Sequence, residues 1–256
     1  MKIQQVAAQL YTLRDFVKTP ADIATTLKKV RAIGYQAVQA SALGPIEESE
    51  LVKILNGEGL VCCATHESGE TIINNPQAVV EKLQKLGCKY TAYPYPAGID
   101  FSDEAQIHAL AKKLNASGAV LRKAGQVLTY HNHAIEFVRY GDKTALEIIY
   151  KGSSKKNLQG EIDTYWVQYG GADPVDWCKK LKGRLPLLHM KDYAYLTSDK
   201  HGMAEIGSGN LNWKKIVAAA EKSGCEWFIV EQDVCPGDPF DSLKKSFEYI
   251  AANLVS

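Results

Sequence analysis

The sequence predicts a single (β/α)₈ barrel that spans residues 1–256, and two observations favour this fold class. Eight short apolar runs alternate with eight helix-like segments from one end of the chain to the other, which is typical of a parallel α/β protein. The length of 256 residues is also normal for one such barrel. A doubly wound sheet is the alternative, but the Gly-rich nucleotide fingerprint expected after its first strand is missing.

The predicted strands are short runs rich in Val, Ile, Leu, Ala and Tyr, as expected for parallel strands that are buried on both faces. Gly, Pro and polar turn residues bound these runs. In chain order, the predicted strands are Ile3–Leu10, Ala37–Ala40, Val61–Thr65, Tyr90–Tyr93, Val127–His131, Leu158–Ile162, Leu185–Met190 and Trp227–Val230.

The predicted helices follow these strands one by one. Pro76 stands in the first turn of the third helix, where proline is favoured, and Gly34 and Gly125 end the first and fourth helices. In chain order, the predicted helices are Ala21–Ile33, Glu47–Asn56, Pro76–Leu86, Asp103–Ala124, Ala145–Tyr150, Pro174–Leu181, Trp213–Lys222 and Asp241–Asn253.

Charge and hydropathy argue against two classes of partner. The chain carries 30 basic and 29 acidic residues, a formal net charge of +1, with only short basic runs such as Lys28-Lys29. A nucleic-acid-binding protein usually shows a basic stripe or a high isoelectric point. No apolar run in the sequence approaches the length of a membrane span. We therefore expect neither nucleic acid nor a membrane as a partner.

The cysteines indicate a reducing compartment. None of the six forms a C-x-x-C pair, and Cys62 and Cys63 are adjacent in an apolar run, which suits buried thiols better than a disulfide framework. The residues that follow Met1 are too polar for a secretory signal peptide. We expect a cytoplasmic protein, although a mature form whose targeting segment was removed would have the same sequence.

Polar side chains close several predicted strands at their carboxyl ends. Alternate side chains of a barrel strand point inward, and inward residues at this rim line the active site. Because buried charge is costly unless it is paired or bound to a metal, such a concentration predicts a functional cluster. The residues that share an inward face are Gln9 and Tyr11 in strand one, His131 and His133 in strand five, Glu161 and Asp163 in strand six, His189 and Lys191 in strand seven, and Glu231 and Asp233 in strand eight, while His66 and Glu67 end strand three.

The chemistry of this set points to a divalent metal. Carboxylates and imidazoles together suit Mn, Zn, Mg or Co, and no cysteine stands at a candidate ligand position, which argues against a structural zinc site. A bound metal could polarise a carbonyl or hold two vicinal hydroxyls of a sugar. Two carboxylates beside the same substrate could move a proton between adjacent carbons, as an aldose–ketose isomerase or an epimerase requires.

An ordered set of motifs resembles the sugar phosphate isomerase/epimerase family, whose fold is the xylose-isomerase-like TIM barrel. The motifs are Tyr130–Phe137, Asp163–Trp166, His189–Asp192, Glu205–Gly209 and Val230–Asp233. Their order and spacing cover residues 127–233, and the first half of the chain matches more loosely through Gln9–Arg14 and Ile33–Tyr35. The resemblance implies a metal-dependent enzyme that acts on a sugar or sugar derivative.

The resemblance also implies one divalent metal held by Glu, Asp, His and Glu at the ends of strands five to eight. Asp163, His189 and Glu231 match three of these positions. Glu136, just past strand five, is the predicted fourth ligand, and His131 is the alternative. Whichever of these two is not a ligand is free to act on the substrate.

The predicted acid/base residues are Glu136, Glu231, His131 and His133. An imidazole titrates near neutrality, which suits proton transfer, while a structural pairing with Glu161 or Tyr11 is the alternative for the two histidines. The predicted substrate-binding residues are Gln9, Tyr11, His66, Trp166 and Lys191. Several relatives, including DNA-repair endonucleases, have a His where this chain has Trp166, so a tri-zinc nuclease is not expected. Trp166 could stack on a sugar ring or pack at the rim, and Lys191 could bind a substrate oxygen or form a salt bridge.

Three functions are open at this point. The leading one is a metal-dependent isomerase or epimerase of a sugar or sugar derivative. The second is a lyase or dehydratase of a 3-keto sugar or an inosose, because the Tyr130–Phe137 motif resembles members with that chemistry. The third is a non-catalytic sugar-binding barrel. The expected partner is a small-molecule carbohydrate, and a homodimer is a further expectation, with Trp177, Trp213 and Trp227 as candidates for its interface or for helix–barrel packing.

Overall fold

The structure is a computed structural model that describes residues 1–255. Eight parallel strands close into a barrel, which confirms the predicted fold class. The strands are β1 (Val6–Gln9), β2 (Ala37–Ala40), β3 (Val61–His66), β4 (Tyr90–Tyr93), β5 (Val127–His131), β6 (Leu158–Asp163), β7 (Leu187–Met190) and β8 (Trp227–Val230). Each strand pairs with the barrel strands before and after it, and β1 closes the barrel against β8.

Ten α-helices lie in the described part of the chain, and eight of them correspond to predicted helices. They are α1 (Pro20–Ile33), α2 (Glu48–Glu58), α3 (Gly69–Asn74), α4 (Pro76–Leu86), α5 (Glu104–Lys123), α6 (Ala145–Lys151), α7 (Thr164–Tyr169), α8 (Pro174–Lys180), α9 (Trp213–Lys222) and α10 (Pro239–Asn253). Two hairpins, Arg139–Tyr140 with Lys143–Thr144 and Asp192–Tyr195 with His201–Ala204, also extend from the barrel.

The two helices that the sequence does not predict, α3 and α7, each begin at a capping side chain. Ser68 Oγ accepts the Thr71 N–H at 3.0 Å, and Asp163 Oδ1 accepts the Trp166 N–H at 3.0 Å. Each helix has six residues, which is too short to show a helical period in the sequence. The cap at α7 also fixes the carboxylate of Asp163 at the end of β6.

The predicted alternation of strand side chains is confirmed on both sides of the barrel wall. Val6 and Ala8 pack in the large core between the barrel and the helices. Ala7, Leu187 and Ile229 belong to a small apolar cluster inside the barrel. The strand β1 is shorter than its predicted counterpart because 3₁₀ turns flank it on both sides.

The strand register places ionisable side chains at one level of the barrel interior. His131 on β5 pairs in register with Glu161 on β6, and Asp163 pairs with His189 on β7. His189 in turn pairs with Ile229 on β8, two residues before Glu231. These polar side chains are all buried, so the carboxyl end of the barrel holds an ionisable cluster.

A buried carboxylate that follows β7 organises the loop between the second hairpin and α9. Asp192 accepts hydrogen bonds from the backbone N–H groups of Gly207, Gly209 and Leu211 and from Trp213 Nε1. Gly207 has a φ of +88°, and a Cβ there would overlap the ring of Tyr249. The Glu205–Gly209 motif is therefore explained by the fold of this loop.

Two of the tryptophans considered for a dimer interface are internal. Trp177 is 4% exposed and Trp213 is 2% exposed, and both pack in the core between barrel and helices. Trp227 packs against the apolar cluster inside the barrel. Helix–barrel packing therefore accounts for Trp177 and Trp213, the partly buried Trp227 packs against the barrel interior, and a homodimer stays a prediction.

The cysteines and the hydropathy agree with the sequence analysis. All six cysteines are free thiols, and five of them are buried. Within residues 1–255, no helix combines the length and the apolar character needed to cross a membrane.

Candidate active site

Four ionisable side chains from four neighbouring strands meet at the carboxyl end of the barrel. One donor atom each of His131, Asp163, His189 and Glu231 lies within 4.8 Å of the others. His189 Nδ1 is 2.9 Å from Glu231 Oε2 and 4.0 Å from Asp163 Oδ2. His131 Nε2 is also 4.0 Å from Asp163 Oδ2. We refer to these four residues as the ligand cluster.

The ligand cluster fits a divalent metal. Two donors that are each about 2.1 Å from one ion are at most about 4.2 Å apart, and the 4.0 Å separations fall within that reach. Asp163 Oδ2 is buried, and although Lys191 Nζ lies 3.0 Å away, no group among residues 1–255 donates to it with hydrogen-bond geometry. A buried carboxylate oxygen of this kind calls for a cation, and in the metal-free protein the nearby ammonium of Lys191 supplies the charge. Two imidazoles and two carboxylates suit Zn, Mn or Co, whereas Mg prefers oxygen ligands.

The structure does not bring Glu136 to the predicted metal site. Within residues 1–255 it belongs to no group of potential ligands, whereas His131, the alternative, lies in the ligand cluster. Glu136 Oε1 accepts the Tyr130 hydroxyl at 2.9 Å, and Oε2 accepts the His133 N–H at 2.8 Å. Because both oxygens accept hydrogen bonds in the protein interior, Glu136 braces the segment that follows β5.

Glu136 should make stability depend on pH. Burial raises the pKa of this carboxyl from 4.5 to about 7, against the hydrogen bonds that lower it. The folded chain therefore holds the proton more tightly than the unfolded chain, so the contribution is present at low pH and is lost as pH rises from about 4.5 through 7. Glu136→Gln removes this dependence and keeps the shape of the side chain. Relative to wild type, we expect the variant to gain on the order of 3 kcal/mol of unfolding free energy between pH 4.5 and pH 8.

Urea unfolding at the two pH values measures this gain, and Glu104→Gln, at an exposed carboxylate on α5, is the matched control. A difference between Glu136→Gln and wild type that does not change with pH would contradict the raised pKa.

A second carboxylate, which the sequence analysis leaves without a site role, orients the histidines of the ligand cluster. Glu161 Oε1 lies 2.6 Å from His66 Nε2, 3.0 Å from His189 Nε2 and 3.4 Å from His131 Nδ1. Its other oxygen accepts Gln39 Nε2 at 2.8 Å. Burial raises the pKa of Glu161, but the imidazoles hold it well below its usual range, so the carboxylate is ionised.

This arrangement decides which nitrogen of His189 faces a metal. Gln39 Oε1 at 2.6 Å and Glu161 Oε1 at 3.0 Å engage Nε2 of His189 and leave Nδ1 towards Asp163 and Glu231. Partners of this kind commonly orient a metal-binding imidazole. His66, His131, Glu161 and His189 also form a group with metal-ligand spacing, but there the oxygen of Glu161 already contacts three imidazoles. Two features of the sequence could have revealed these roles. Glu161 shares a strand face with Asp163, and Gln39 is a polar residue at an inward position of the apolar strand β2.

The charges in the site are strongly coupled. Burial lowers the pKa of His189, but the carboxylates of Glu161 and Glu231 raise it to about 10. Burial raises the pKa of Glu231, but Lys191 and His189 hold it well below its usual range. Burial and the nearby Lys191 lower the pKa of His133 to about 4, so its imidazole is neutral at pH 7.

A cavity of about 390 Å³ opens next to the ligand cluster. Among the residues that line it are Tyr11, His66, His131, His133, Lys191 and Glu231. Three of the five predicted substrate-binding residues, Tyr11, His66 and Lys191, therefore line the same space. His133 lines this cavity, and its buried Nδ1 atom has no hydrogen-bond partner among residues 1–255.

The other two predicted substrate-binding residues lie elsewhere. Gln9 is fully buried and donates to Gln39 Oε1 at 2.8 Å, so it supports the side chains under the site. Trp166 has its ring 5.5 Å from the His133 ring, and it lines a neighbouring cavity of about 850 Å³ together with Tyr165 and Tyr169. Trp166 therefore packs against His133, which lines the cavity beside the ligand cluster, while Trp166 itself lines the neighbouring cavity.

A closed parallel barrel that gathers imidazoles and carboxylates at the ends of β5 to β8 defines the class of protein: a (β/α)₈ barrel with a candidate metal centre at its carboxyl face. Residues 27–252 match the family model of the xylose isomerase-like TIM barrel, and the chain belongs to this family.

The similar proteins are distant in sequence. An inosose dehydratase of Geobacillus kaustophilus is 22% identical, over 88% of this chain and 85% of that protein. A sugar phosphate isomerase/epimerase structure from Parabacteroides distasonis superposes with a TM-score of 0.83 at 22% identity, covering 99% of this chain and 96% of that one. A xylose isomerase-like TIM barrel protein of Mycobacterium smegmatis, in complex with magnesium, gives a TM-score of 0.76 at 14% identity and covers 97% and 96% of the two chains. At these identities, the two solved structures show that the fold is shared.

Proposed function

We propose that the protein is a divalent-metal-dependent isomerase or epimerase that moves a proton next to a carbonyl of a sugar or sugar derivative. One observation carries the proposal: His133, which follows β5, and Glu231, which follows β8, line one cavity beside the ligand cluster. In the closed barrel, β6 and β7 separate these two strands, so the two side chains approach the cavity from different sides. A substrate between them has an acid/base group on either side.

The residues of the chain divide into three roles. His131, Asp163, His189 and Glu231 would hold the metal, which when bound would polarise the substrate carbonyl and stabilise the charge of an enolate. His133 and Glu231, which line the cavity from different sides, would take and return the proton, and His133 Nδ1 has no hydrogen-bond partner among residues 1–255. Tyr11 and His66 would hold substrate hydroxyls at the cavity wall, whereas the ammonium of Lys191 is engaged by carboxylates.

A lyase is the second candidate, because the inosose dehydratase of Geobacillus kaustophilus aligns with 88% of the chain. Dehydration next to a carbonyl begins with the same proton removal, and the same residues would serve it. The two reactions differ in the next step, since an isomerase returns the proton and a dehydratase expels a hydroxyl as water.

Proton NMR in D₂O separates these functions. The purified protein, loaded with Mn²⁺, is incubated with a panel of ketoses, 3-keto glycosides and inososes. Deuterium at the carbon beside the carbonyl, without net loss of water, is the result expected for the isomerase or epimerase. An unsaturated product would show the dehydratase instead, and no exchange with any member of the panel would contradict the enzymatic function.

His133→Asn is expected to lower the rate of deuterium exchange by about 10²- to 10⁴-fold, the usual contribution of a general acid/base group. The backbone N–H that binds Glu136 is unchanged in this variant, so the fold should persist. Metal affinity, measured by titration with Mn²⁺, should stay at the wild-type value. Tyr95→Phe changes a residue whose ring lies 5.2 Å from His133 and serves as the control, with an expected loss of less than about 10-fold. Exchange at the wild-type rate in His133→Asn would remove His133 from the catalytic role.

A further inference from the structure

A buried ammonium group contacts the oxygens that the ligand cluster offers to a metal. The side chain of Lys191 is 1% exposed, and its Nζ atom lies 3.0 Å from Asp163 Oδ2 and 2.7 Å from Glu231 Oε2. These are the same two oxygens that His189 Nδ1 approaches. The ammonium and a divalent metal would therefore compete for one pair of carboxylate oxygens.

The same lysine has a third carboxylate partner outside the ligand cluster. Lys191 Nζ is 3.1 Å from both oxygens of Asp233, which lines the cavity and whose side chain is 22% exposed. An ammonium group has three hydrogens to donate, so it can keep Asp233 when it gives up the other two oxygens. Asp233 thus offers the lysine a position outside the ligand cluster.

We propose that Lys191 is a built-in competitor for the metal: its ammonium holds the ligand oxygens of Asp163 and Glu231 in the metal-free protein and withdraws to Asp233 when a divalent ion binds. This inference rests on the metal site of the proposed function, but not on the reaction or the substrate. It makes Lys191 the residue that sets metal affinity, although it is not a ligand.

Two physical effects both predict that removing the ammonium strengthens metal binding. Without the ammonium, the buried carboxylates of Asp163 and Glu231 and the partly exposed carboxylate of Asp233 would lose a shared cationic partner, and poorly paired buried charge is strongly destabilising. The metal-free state would therefore lose stability and gain more from a cation. In addition, an ammonium on Asp233 still repels a dication a few ångströms away, and this repulsion disappears with the lysine.

Lys191→Met is the principal test, since it removes the charge and keeps an unbranched apolar side chain. Metal-stripped protein is titrated with Mn²⁺ alone in a calorimeter, and thermal unfolding is followed with and without Mn²⁺. We expect Mn²⁺ to bind at least about 10-fold more tightly than in wild type, together with a lower midpoint of unfolding for the metal-free variant and a larger rise on adding Mn²⁺.

Two further variants separate the loss of this particular charge from a change of side chain and from the loss of any nearby lysine. Lys191→Arg keeps a cation in place and should bind Mn²⁺ no more tightly than wild type. Lys82→Met removes a lysine that pairs with Glu67 near the cavity and does not contact the ligand cluster, so its Mn²⁺ affinity should match wild type. If Lys191→Met folds only when Mn²⁺ is present, the proposal is supported, because a cation is then shown to be required at that place.

Equal or weaker Mn²⁺ binding by a folded Lys191→Met, with wild type binding Mn²⁺ normally, would overturn the proposal and leave the proposed function intact. Binding by neither protein would overturn both together, because there would be no metal site to compete for.

Discussion

Glu231→Gln is expected to abolish divalent metal binding and to lower deuterium exchange by at least about 10³-fold, through loss of both metal and acid/base chemistry. Glu231 Oε2 lies 2.9 Å from His189 Nδ1 and 2.7 Å from Lys191 Nζ, so it joins the imidazole and the ammonium in the centre of the site. The amide retains the shape but loses the negative charge, which a hard dication requires. Two cationic groups would then face one carboxylate fewer, and a further dication would be repelled.

The measurement has two parts. Elemental analysis of the purified variant and a titration with Mn²⁺ report the metal, and proton NMR in D₂O reports exchange. Glu67→Gln is the matched control, because Glu67 lines the same cavity but lies outside the ligand cluster. It should keep its metal. If Glu231→Gln binds Mn²⁺ with wild-type affinity, Glu231 is not a ligand.

Asp192→Ala is expected to lower the free energy of unfolding by about 4 kcal/mol or more. Five groups donate to this carboxylate: the N–H groups of Tyr193 at 2.9 Å, Gly207 at 2.9 Å, Gly209 at 3.2 Å and Leu211 at 3.3 Å, and Trp213 Nε1 at 2.6 Å. Each buried donor left without an acceptor costs about 1–3 kcal/mol, although the losses do not add fully and water can enter the space. The side chain of Ala cannot accept any of these hydrogen bonds.

Urea unfolding at pH 7 measures this loss of unfolding free energy, and Asp192→Asn serves as an intermediate variant. The amide keeps one acceptor oxygen, so the loss should fall between wild type and Asp192→Ala. A loss below about 1 kcal/mol for Asp192→Ala would show that the loop finds other acceptors, and the role assigned to Asp192 would then be wrong.

Much of the fold follows from residue patterns that are local in the chain. The apolar runs and the helix-end signals predict the barrel, and the alternation along β7 and β8 correctly places Leu187 and Ile229 inside it. The helices α3 and α7 were not predicted, because a helix of six residues depends on one capping side chain and is too short to show a helical repeat of apolar residues. The sequence shows the motif Glu205–Gly209. That the N–H groups of Gly207 and Gly209 donate to Asp192 depends on contacts across the loop, which the sequence does not reveal.

In the candidate site, too, the sequence predicts correctly where residues lie on regular strands and fails where they lie beyond them. Asp163, His189 and Glu231 lie at the ends of regular strands, where alternation and strand order already say which way a side chain points, and these three do come together. Glu136 lies beyond β5 in a 3₁₀ turn, where alternation no longer applies, and the turn directs it to Tyr130 and its own backbone segment.

Residue order alone therefore indicated a barrel and an ionisable rim, because strand period and strand order are properties of neighbouring residues. It could not assign the fourth ligand, the role of Glu161 or the position of the Lys191 ammonium. Those depend on distances across the barrel, between side chains that are far apart in the chain, and on which polar atoms are already engaged. Only closure of the barrel sets these distances, and it brings His131 rather than Glu136 into the ligand cluster.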